Sequence, residues 1–449
     1  MTSLSSSIAM TRCLTLRLFI AALFPCLLFT AALAAGGVRA DDARPPNLVL
    51  ILADDFGYEC VTANGGQSYQ TPHLDKLAET GMRFEHCHVQ PLCTPTRVQL
   101  MTGVYNVRNY TAFGILDPQV TTFAHLLKRA GYATGITGKW QLGRGKDLPR
   151  QFGFDESFLW QHTRRPPRYA NPGLELHGEE RDYHDGQYGP KLVNDFALDF
   201  VTRHQEQPFF LYYPMILTHA PFQPTPDSPN WDPRARGERV NRNARHFADM
   251  TAYMDKMIGR LVAKLDELGI RDNTLVIFLG DNGTAPRITS RFQGQPYQGG
   301  KGQATARGTH VPLVANWPGK IPAGWVNTDL IDSTDFLPTL CEAAGAAIPA
   351  SLSLDGRSFL PQLLGQPGQP RQWLYCWYAP NGGPRPKFEF AMSRTHKLYR
   401  NGRFFALASD PFEEQPFEVA NLTGPDAEAA RTLQAALDQY THARPAKAD

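Results

Sequence analysis

Short apolar segments that alternate with helical patterns constrain the fold of this chain more than any other feature. Residues 47–53 (NLVLILA) are almost uninterrupted in their hydrophobicity, as expected of a strand buried on both faces. Similar strand candidates follow at residues 132–137, 208–215, 274–279 and 311–317. This alternation predicts an α/β fold whose parallel sheet is flanked by helices.

The segments between these strands have recognisable helix ends. Thr71-Pro72 begins one helix, with a capping residue followed by proline at the first helical position, and Gly81 ends it. The longest helix is predicted over residues 246–268, where Met and Leu recur at helical spacing. We interpret that stripe as core packing rather than a cofactor site.

Two long stretches, residues 144–190 and 221–245, show little periodicity and are rich in Pro, Gly, Arg and aromatic residues. Loops of this length usually serve as lids or binding walls. After residue 364 a Gly/Pro-rich segment precedes short strand patterns and a helix near residues 426–440. We therefore predict a main domain over residues 41–365 and a small α+β subdomain over residues 366–449.

The first 40 residues differ from the rest of the chain. They contain no acid, and Arg12 and Arg17 precede an apolar run that ends in small residues at 38–40 (VRA). This pattern predicts a cleaved signal peptide and an exported protein, in a periplasm, a secreted state or a lysosome-like lumen. A retained membrane anchor is the alternative, since the run is just long enough to span a bilayer. No later segment is apolar enough to do so, so we expect no stable membrane span after cleavage.

Removal of this leader takes away three arginines, which leaves 42 basic against 43 acidic residues and changes the formal charge from +2 to −1. Such a balance argues against a nucleic-acid partner. Five cysteines remain, too few for a disulfide scaffold and odd in number: Cys60, Cys87, Cys93, Cys341 and Cys376. Disulfides among four of them stay open, whereas an unpaired thiol in an exported protein needs an explanation.

Polar residues follow two of the predicted strands directly. Asp54-Asp55 comes after the first strand, and Asp281-Asn282 comes after the strand near residue 279. Because ligands bind at the carboxyl ends of parallel strands, these oxygen groups could converge on Ca²⁺ or Mg²⁺. Taken singly, each pattern is more typical of a turn or a helix cap than of a metal site.

Residues 93–97 (CTPTR), followed by LMTG at 100–103, resemble the signature of the sulfatase family, in which the cysteine is oxidised to formylglycine. The resemblance extends in order from residue 46 to about residue 422. Its further motifs are residues 138–143 (GKWQLG), 218–221 (THAP), 299–302 (GGKG), 405–407 (FAL) and 410–413 (DPFE). It implies an alkaline-phosphatase-like fold with a large mixed, mostly parallel sheet and a small C-terminal subdomain.

The resemblance also implies a reaction and a set of site residues. One hydroxyl of the hydrated aldehyde at position 93 attacks the sulfur, and the other later loses its proton to expel sulfate. A cation, Ca²⁺ with Mg²⁺ as the alternative, acts as Lewis acid. Its implied ligands are Asp54, Asp55, Asp281, Asn282 and the group derived from Cys93. The residues implied to meet the sulfate oxygens and the leaving group are Arg97, Lys139, His219 and Lys301.

Gln141 departs from the family, which most often has His at this position. That His is thought to assist proton removal, and a neutral amide is no base near pH 7. Three explanations stay open: Gln141 orients the hydroxyl while another base acts, the chain represents an adapted subgroup, or turnover is impaired. We favour the subgroup, since the other motifs are intact. His310 stands where the family commonly has Arg, and we interpret it as a structural loop residue.

The sequence therefore predicts a hydrolase of sulfate monoesters that acts on a sulfated small molecule or glycan and depends on a formylglycine-generating maturation enzyme. One alternative is a phosphomonoester or phosphonate-ester hydrolase that uses the same aldehyde. Another is a catalytically impaired protein that binds sulfated glycans, which Gln141 motivates. A zinc cluster of His86, Cys87, His88 and Cys93 is the least favoured reading, because no second pair with zinc-finger spacing exists.

Overall fold

The computed structural model describes residues 44–161, 164, 166–237 and 243–445, and residues from Arg44 onward form one compact unit. The predicted leader, residues 1–40, lies outside the described residues. Within the described part, no helix is long and apolar enough to cross a bilayer. The boundary predicted at residues 365/366 stays a prediction.

The described residues form seventeen strands and eleven α-helices. The strands are β1 (Asn47–Ala53), β2 (Met82–His88), β3 (Ala133–Trp140), β4 (Glu156–Gln161), β5 (Gly173–Leu176), β6 (Glu179–Asp182), β7 (Phe209–Pro214), β8 (Thr274–Gly280), β9 (Thr289–Phe292), β10 (Gln295–Gln298), β11 (Leu313–Asn316), β12 (Trp325–Asp332), β13 (Leu374–Tyr378), β14 (Phe388–Met392), β15 (His396–Tyr399), β16 (Arg403–Ala406) and β17 (Phe417–Glu418). The helices are α1 (Pro72–Glu79), α2 (Cys93–Thr102), α3 (Asn106–Asn109), α4 (Phe123–Arg129), α5 (Leu148–Gln151), α6 (Gly189–Arg203), α7 (His246–Glu267), α8 (Ala306–Thr309), α9 (Phe336–Ala344), α10 (Leu360–Leu363) and α11 (Gly424–Asp438).

A ten-stranded mixed sheet, in the order β12-β2-β11-β8-β1-β7-β3-β4-β5-β6, forms the centre of the fold. Its middle strands β8, β1, β7, β3 and β4 run parallel, whereas β11, β5 and β6 are antiparallel to their neighbours. The predicted class, a mostly parallel sheet flanked by helices, is confirmed. Five antiparallel strands, β13 to β17, form the separate sheet of the C-terminal region.

Alternation along β1 explains why its sequence is continuously apolar. Leu48, Leu50 and Leu52 belong to one hydrophobic core, whereas Val49 and Ile51 belong to another. The first core includes side chains of α2, α4 and α9, and the second includes side chains of α1, α6 and α7. The sheet is therefore covered by helices on both faces, which keeps water from its central strands.

The interpretation of residues 144–190 as loop is wrong in part. This stretch contains α5 and three strands of the central sheet, of which β4 lies beside β3. Only the three central residues of β4 (ESFLWQ) are apolar and polar residues flank them, so the strand lacks the continuous apolar run that predicts β1. Residues 221–245, by contrast, contain no helix or strand among those that are described.

Candidate active site

The register of the central strands brings the two predicted acidic motifs together. Ala53 at the end of β1 lies opposite Gly280 at the end of β8, so Asp54 and Asp281 leave the sheet at the same level. The backbone N–H of Asp281 donates to the carbonyl of Ala53 at 2.9 Å, and that of Asp55 donates to Asp281 Oδ1 at 3.0 Å. The parallel pairing thus converts a separation of more than 200 residues into direct contact.

Cys93 and Arg97 reach the same place from α2. Cys93 is the first residue of this helix, and Arg97 follows four residues later on the same face. One oxygen each of Asp54 and Asp281 and the Cys93 sulfur all lie within 4.8 Å of one another. Arg97 donates to Asp281 Oδ2 from Nη2 at 2.9 Å and to the Lys139 carbonyl at 3.2 Å. The helix is therefore fixed against the carboxyl ends of the sheet.

Two lysines pair with the remaining carboxylates. Lys139 at the end of β3 donates to both oxygens of Asp54, at 2.9 and 2.7 Å. Lys301, in the loop after β10, lies 2.6 Å from Asp55 Oδ1 and 2.8 Å from Asp55 Oδ2. Three carboxylates and three basic side chains thus share one largely buried cluster. Throughout this article we call Asp54, Asp55, Asp281, Arg97, Lys139 and Lys301 the site cluster.

The pKa directions follow from burial and pairing. Burial opposes ionisation of Asp54, but Lys139 and the other basic side chains around it together outweigh burial and hold the pKa of Asp54 well below its usual range. Burial and then the Asp54 charge raise the pKa of Asp281 to about 7. Burial also raises the pKa of the Cys93 thiol, which opposes formation of a thiolate. An unmodified Cys93 is therefore a poor nucleophile in this position.

His219 follows β7 at the edge of the site cluster, with its Nε2 3.8 Å from Asp55 Oδ2. Burial lowers the pKa of His219 to about 3, although the Asp55 carboxylate opposes that shift. Its imidazole is consequently neutral at physiological pH and contributes hydrogen bonds rather than charge. The structure brings every predicted site residue so far described into one region.

The donor set suits a hard divalent cation. Asn282 Oδ1 is buried and has no hydrogen-bond partner, while Asn282 Nδ2 donates to Asp55 Oδ1 at 2.9 Å. A buried carbonyl oxygen left unpaired costs free energy unless a ligand satisfies it. Together with the three carboxylates it forms the oxygen-only set that Ca²⁺ and Mg²⁺ prefer. A divalent ion would give the cluster a net positive charge, which is complementary to a sulfate ester.

Gln141, the departure from the family pattern, is 1% exposed and follows β3 directly. Its Oε1 is buried without a hydrogen-bond partner. His310 is also buried, but it stacks on Tyr58 at 4.1 Å between ring centroids, and its Nε2 lies 2.8 Å from the Glu85 carbonyl. These contacts agree with the structural role predicted for His310.

The described residues give no support to the hypothesis of a zinc cluster at His86, Cys87, His88 and Cys93. Cys93 groups with Asp54 and Asp281, and no described cluster of metal-ligating atoms joins His86 or His88 to a cysteine. All five described cysteines are free and buried, so none of the disulfides left open by the sequence is formed.

Sequence reasoning missed Arg168, whose Nη1 lies 3.1 Å from His219 Nδ1. Arg168 lies in the aperiodic stretch predicted to wall the substrate, but no motif singled it out. Trp231, from the second such stretch, packs instead against Tyr188, with 5.4 Å between ring centroids.

A mixed α/β sheet that gathers carboxylates, lysines and a helix-start cysteine at the ends of its central strands defines an alkaline-phosphatase-like hydrolase. The family model described as sulfatase matches residues 46–346, and the one described as N-sulphoglucosamine sulphohydrolase, C-terminal, matches residues 304–440. The chain therefore belongs to the sulfatase family, a family of sulfuric ester hydrolases.

Known relatives agree with this assignment. The chain is 35% identical to arylsulfatase A of Homo sapiens over 386 residues, which span 77% of this chain and 72% of that protein. It is 33% identical to N-acetylgalactosamine-6-sulfatase of Canis lupus familiaris over 376 residues, 74% of this chain and 69% of that protein. The crystal structure of Ps i-CgsB shares the fold, with a TM-score of 0.74, 24% identity, and coverage of 90% of this chain and 94% of that chain.

Proposed function

We propose that this protein is an exported, Ca²⁺-dependent sulfatase that hydrolyses sulfate monoesters of carbohydrates through a nucleophile derived from Cys93. The observation that carries the proposal is the convergence of Cys93 with Asp54 and Asp281, within 4.8 Å, beside the buried Lys139 and the partly buried Lys301. The names of the relatives, an arylsulfatase and an N-acetylgalactosamine-6-sulfatase, support a sulfated sugar as substrate.

The metal would be held by the four oxygen ligands Asp54, Asp55, Asp281 and Asn282. Bound there, a divalent cation supplies Lewis-acid stabilisation of the negative charge that develops in the reaction. Asp54 and Asp55 stay ionised because their basic neighbours offset the cost of burial, as the lowered pKa of each indicates. Burial raises the pKa of Asp281 to about 7, and a bound cation would favour its ionised form. Ca²⁺ is favoured over Mg²⁺, since several carboxylates in one dry cluster suit its higher coordination number.

The modification of Cys93 to formylglycine supplies a hydrated aldehyde in place of a poorly ionised thiol. Cys93 is 1% exposed, so we expect the maturation enzyme to act before α2 packs against the sheet.

Each basic residue has a role in this proposal. Lys139 and Lys301 bind the sulfate oxygens, and Arg97 fixes Asp281 and the start of α2 in place. His219 donates a hydrogen bond toward the leaving-group oxygen, which neutral imidazole can do at physiological pH. Gln141 orients the attacking group through its amide, because it cannot accept a proton as histidine would.

The test is an assay of anion release after co-expression with a formylglycine-generating enzyme. We expect the purified protein to release sulfate from 4-nitrophenyl sulfate in the presence of Ca²⁺, and Cys93→Ala to abolish that activity. Cys341→Ala is the matched control, since it removes a buried thiol of α9 and is expected to keep the activity. Faster release of phosphate from 4-nitrophenyl phosphate would favour the phosphoesterase. Release of neither anion by matured protein would favour a sulfated-glycan-binding relative.

A further inference from the structure

A cavity of about 270 Å³ opens beside His219. Its lining residues are Arg168, His219, Ala220, Pro221, Phe222, Asn243, Ala244 and Arg287. His219 belongs both to this cavity and to the edge of the site cluster, where its Nε2 lies 3.8 Å from Asp55 Oδ2. A group bound in the cavity would therefore adjoin the scissile sulfate.

The two arginines of this cavity have no carboxylate partner among the described residues, unlike several arginines elsewhere in the fold. Arg164, Arg203 and Arg260 each form an ion pair with at least one carboxylate. Within the described ranges, neither Arg168 nor Arg287 forms one, and none of the residues that line the cavity is acidic. The cavity therefore has an uncompensated positive charge next to the reaction centre.

Arg168 is held in place before any ligand arrives. Its guanidinium carbon lies 4.0 Å from the centroid of the Trp160 ring, and its Nη1 lies 3.1 Å from His219 Nδ1. Stacking on an indole leaves the planar fork of donors ordered, so that less entropy is lost when an anion binds. Arg287 is exposed and lines the same cavity, so its guanidinium is available to the same anion.

We propose that this cavity binds a second anionic group of the substrate, a sulfate or a carboxylate, next to the sulfate that is hydrolysed. This inference rests on the proposed function and narrows its substrate class to glycans with two or more negative charges on adjacent positions or sugars. Both kinds of group present the paired oxygens that a guanidinium recognises through two parallel hydrogen bonds.

The test is a binding measurement that needs no turnover. The full-length Cys93→Ala protein with Ca²⁺ is titrated by calorimetry with N-acetylglucosamine 6-sulfate, glucosamine 2-N,6-O-disulfate and a monosulfated disaccharide that carries a uronic acid. We expect the doubly charged ligands to bind at least about tenfold more tightly than the singly charged one, as charge-assisted hydrogen bonds to an arginine allow. The stronger of the two doubly charged ligands identifies whether sulfate or carboxylate is the preferred second group.

Arg287→Gln is the decisive variant, since Arg287 is exposed and has no ion pair whose loss could unfold the described part of the protein. We expect it to reduce the preference for the doubly charged ligands about tenfold, while Arg291→Gln, a nearby exposed arginine outside the cavity, leaves the preference unchanged. Arg168→Gln should reduce the preference as well. Equal binding of singly and doubly charged ligands, no binding of any of them, or an unchanged preference in Arg287→Gln would overturn the proposal.

The same panel separates this inference from the proposed function. A preference for doubly charged ligands in a protein that, once matured, hydrolyses no sulfate ester would refute the function and retain the cavity. Hydrolysis of 4-nitrophenyl sulfate without any such preference would support the proposed function and overturn the inference about the cavity.

Discussion

The site cluster and a second cluster of buried charge, around Arg371, differ in how completely their polar atoms are paired. Arg371 donates to Asp335 from Nε, to Tyr105 from Nη1 and to Thr334 from Nη2, at 2.8 to 3.1 Å. Asp332 accepts two hydrogen bonds from Thr334, and its N–H donates to Asp335 at 2.9 Å. We call Asp332, Thr334, Asp335, Arg371 and Tyr105 the Arg371 cluster.

Every side chain of the Arg371 cluster is satisfied within the protein, whereas Asn282 Oδ1 and Gln141 Oε1 beside the site cluster are buried without partners. A fully paired arrangement holds the start of α9 and the segment before β13 together. The spare oxygens of the site cluster are groups that a bound ligand would satisfy. The two clusters are thus alike in buried charge and differ in their unpaired atoms.

The largest expected effect is on stability. Arg371→Met leaves Asp335 buried without its partner, so we expect the free energy of unfolding to fall by about 3–5 kcal/mol. Urea unfolding followed by circular dichroism measures the loss. The double variant Arg371→Met/Asp335→Leu should recover part of it, because no lone charge then remains buried. Equal stability of the wild type and Arg371→Met would contradict a structural role for this cluster.

The next effect is on activity. Lys301→Ala removes a cation that we place on the sulfate, so kcat/KM for 4-nitrophenyl sulfate should fall about 100-fold to 1,000-fold. The melting temperature should change much less than in Arg371→Met. Lys320→Ala, an exposed lysine without an ion pair among the described residues, serves as control. A loss of less than tenfold would place Lys301 outside the reaction.

Addition of Ca²⁺ should stabilise the protein, because an ion that binds the folded state alone adds about 2.7 kcal/mol at a hundredfold excess over its Kd. Differential scanning calorimetry with and without a chelator measures the shift. Asp281→Asn should abolish it, and Asp332→Asn should retain it. The two positions are well matched, since both carboxyls are buried and burial raises the pKa of each to about 7. Equal shifts in both variants would refute the metal assignment.

The buried carboxyl of Asp332 should also make the free energy of unfolding depend on pH. Burial raises its pKa from the ordinary 3.8 to about 7, with Arg371 opposing and Asp335 adding to the shift. The folded state binds this proton more tightly than the unfolded state does, so proton binding at Asp332 adds to the free energy of unfolding. This contribution is complete below pH 3.8 and is lost as the pH rises toward 7. The slope is at most about 1.4 kcal/mol for each pH unit. Urea midpoints at pH 5 and pH 8 should lie closer together in Asp332→Asn than in the wild type; an unchanged difference would be inconsistent with this titration.

The smallest expected effect concerns Gln141. We expect Gln141→His to lower kcat about threefold to tenfold, corresponding to about 1 kcal/mol, because this site is adapted to a neutral amide. Steady-state assays on 4-nitrophenyl sulfate decide the question. A large rise in kcat would show instead that glutamine impairs turnover.

Much of the fold could be predicted because its central elements have strong local patterns. The apolar run of β1 predicts a buried strand, and the Met/Leu stripe of α7 predicts a helix packed on the core. The motif around Cys93 predicts where the site lies in the chain. Asp54 and Asp281 could be placed together in advance because they follow strands of one parallel sheet, whose carboxyl ends meet at one edge.

Other parts depend on contacts that no local pattern encodes. β2 (MRFEHCH) carries charged and polar residues because it lies near the edge of the sheet, between β12 and β11, so hydrophobicity does not mark it as a strand. Arg168 comes beside His219 only through the fold of the stretch before α6, and its sequence neighbours give no sign of that contact. In both cases the position of the residues is set by contacts with parts of the chain that are far away in the sequence.

The most direct test of the central claim is the mass of the tryptic peptide that contains position 93, measured in parallel with sulfate release. We predict that active preparations contain a side chain at position 93 that has lost one sulfur and two hydrogens and gained one oxygen, and that the rate of sulfate release rises in proportion to this converted fraction. Sulfate release at full rate from protein whose Cys93 is entirely an unmodified thiol would contradict the account.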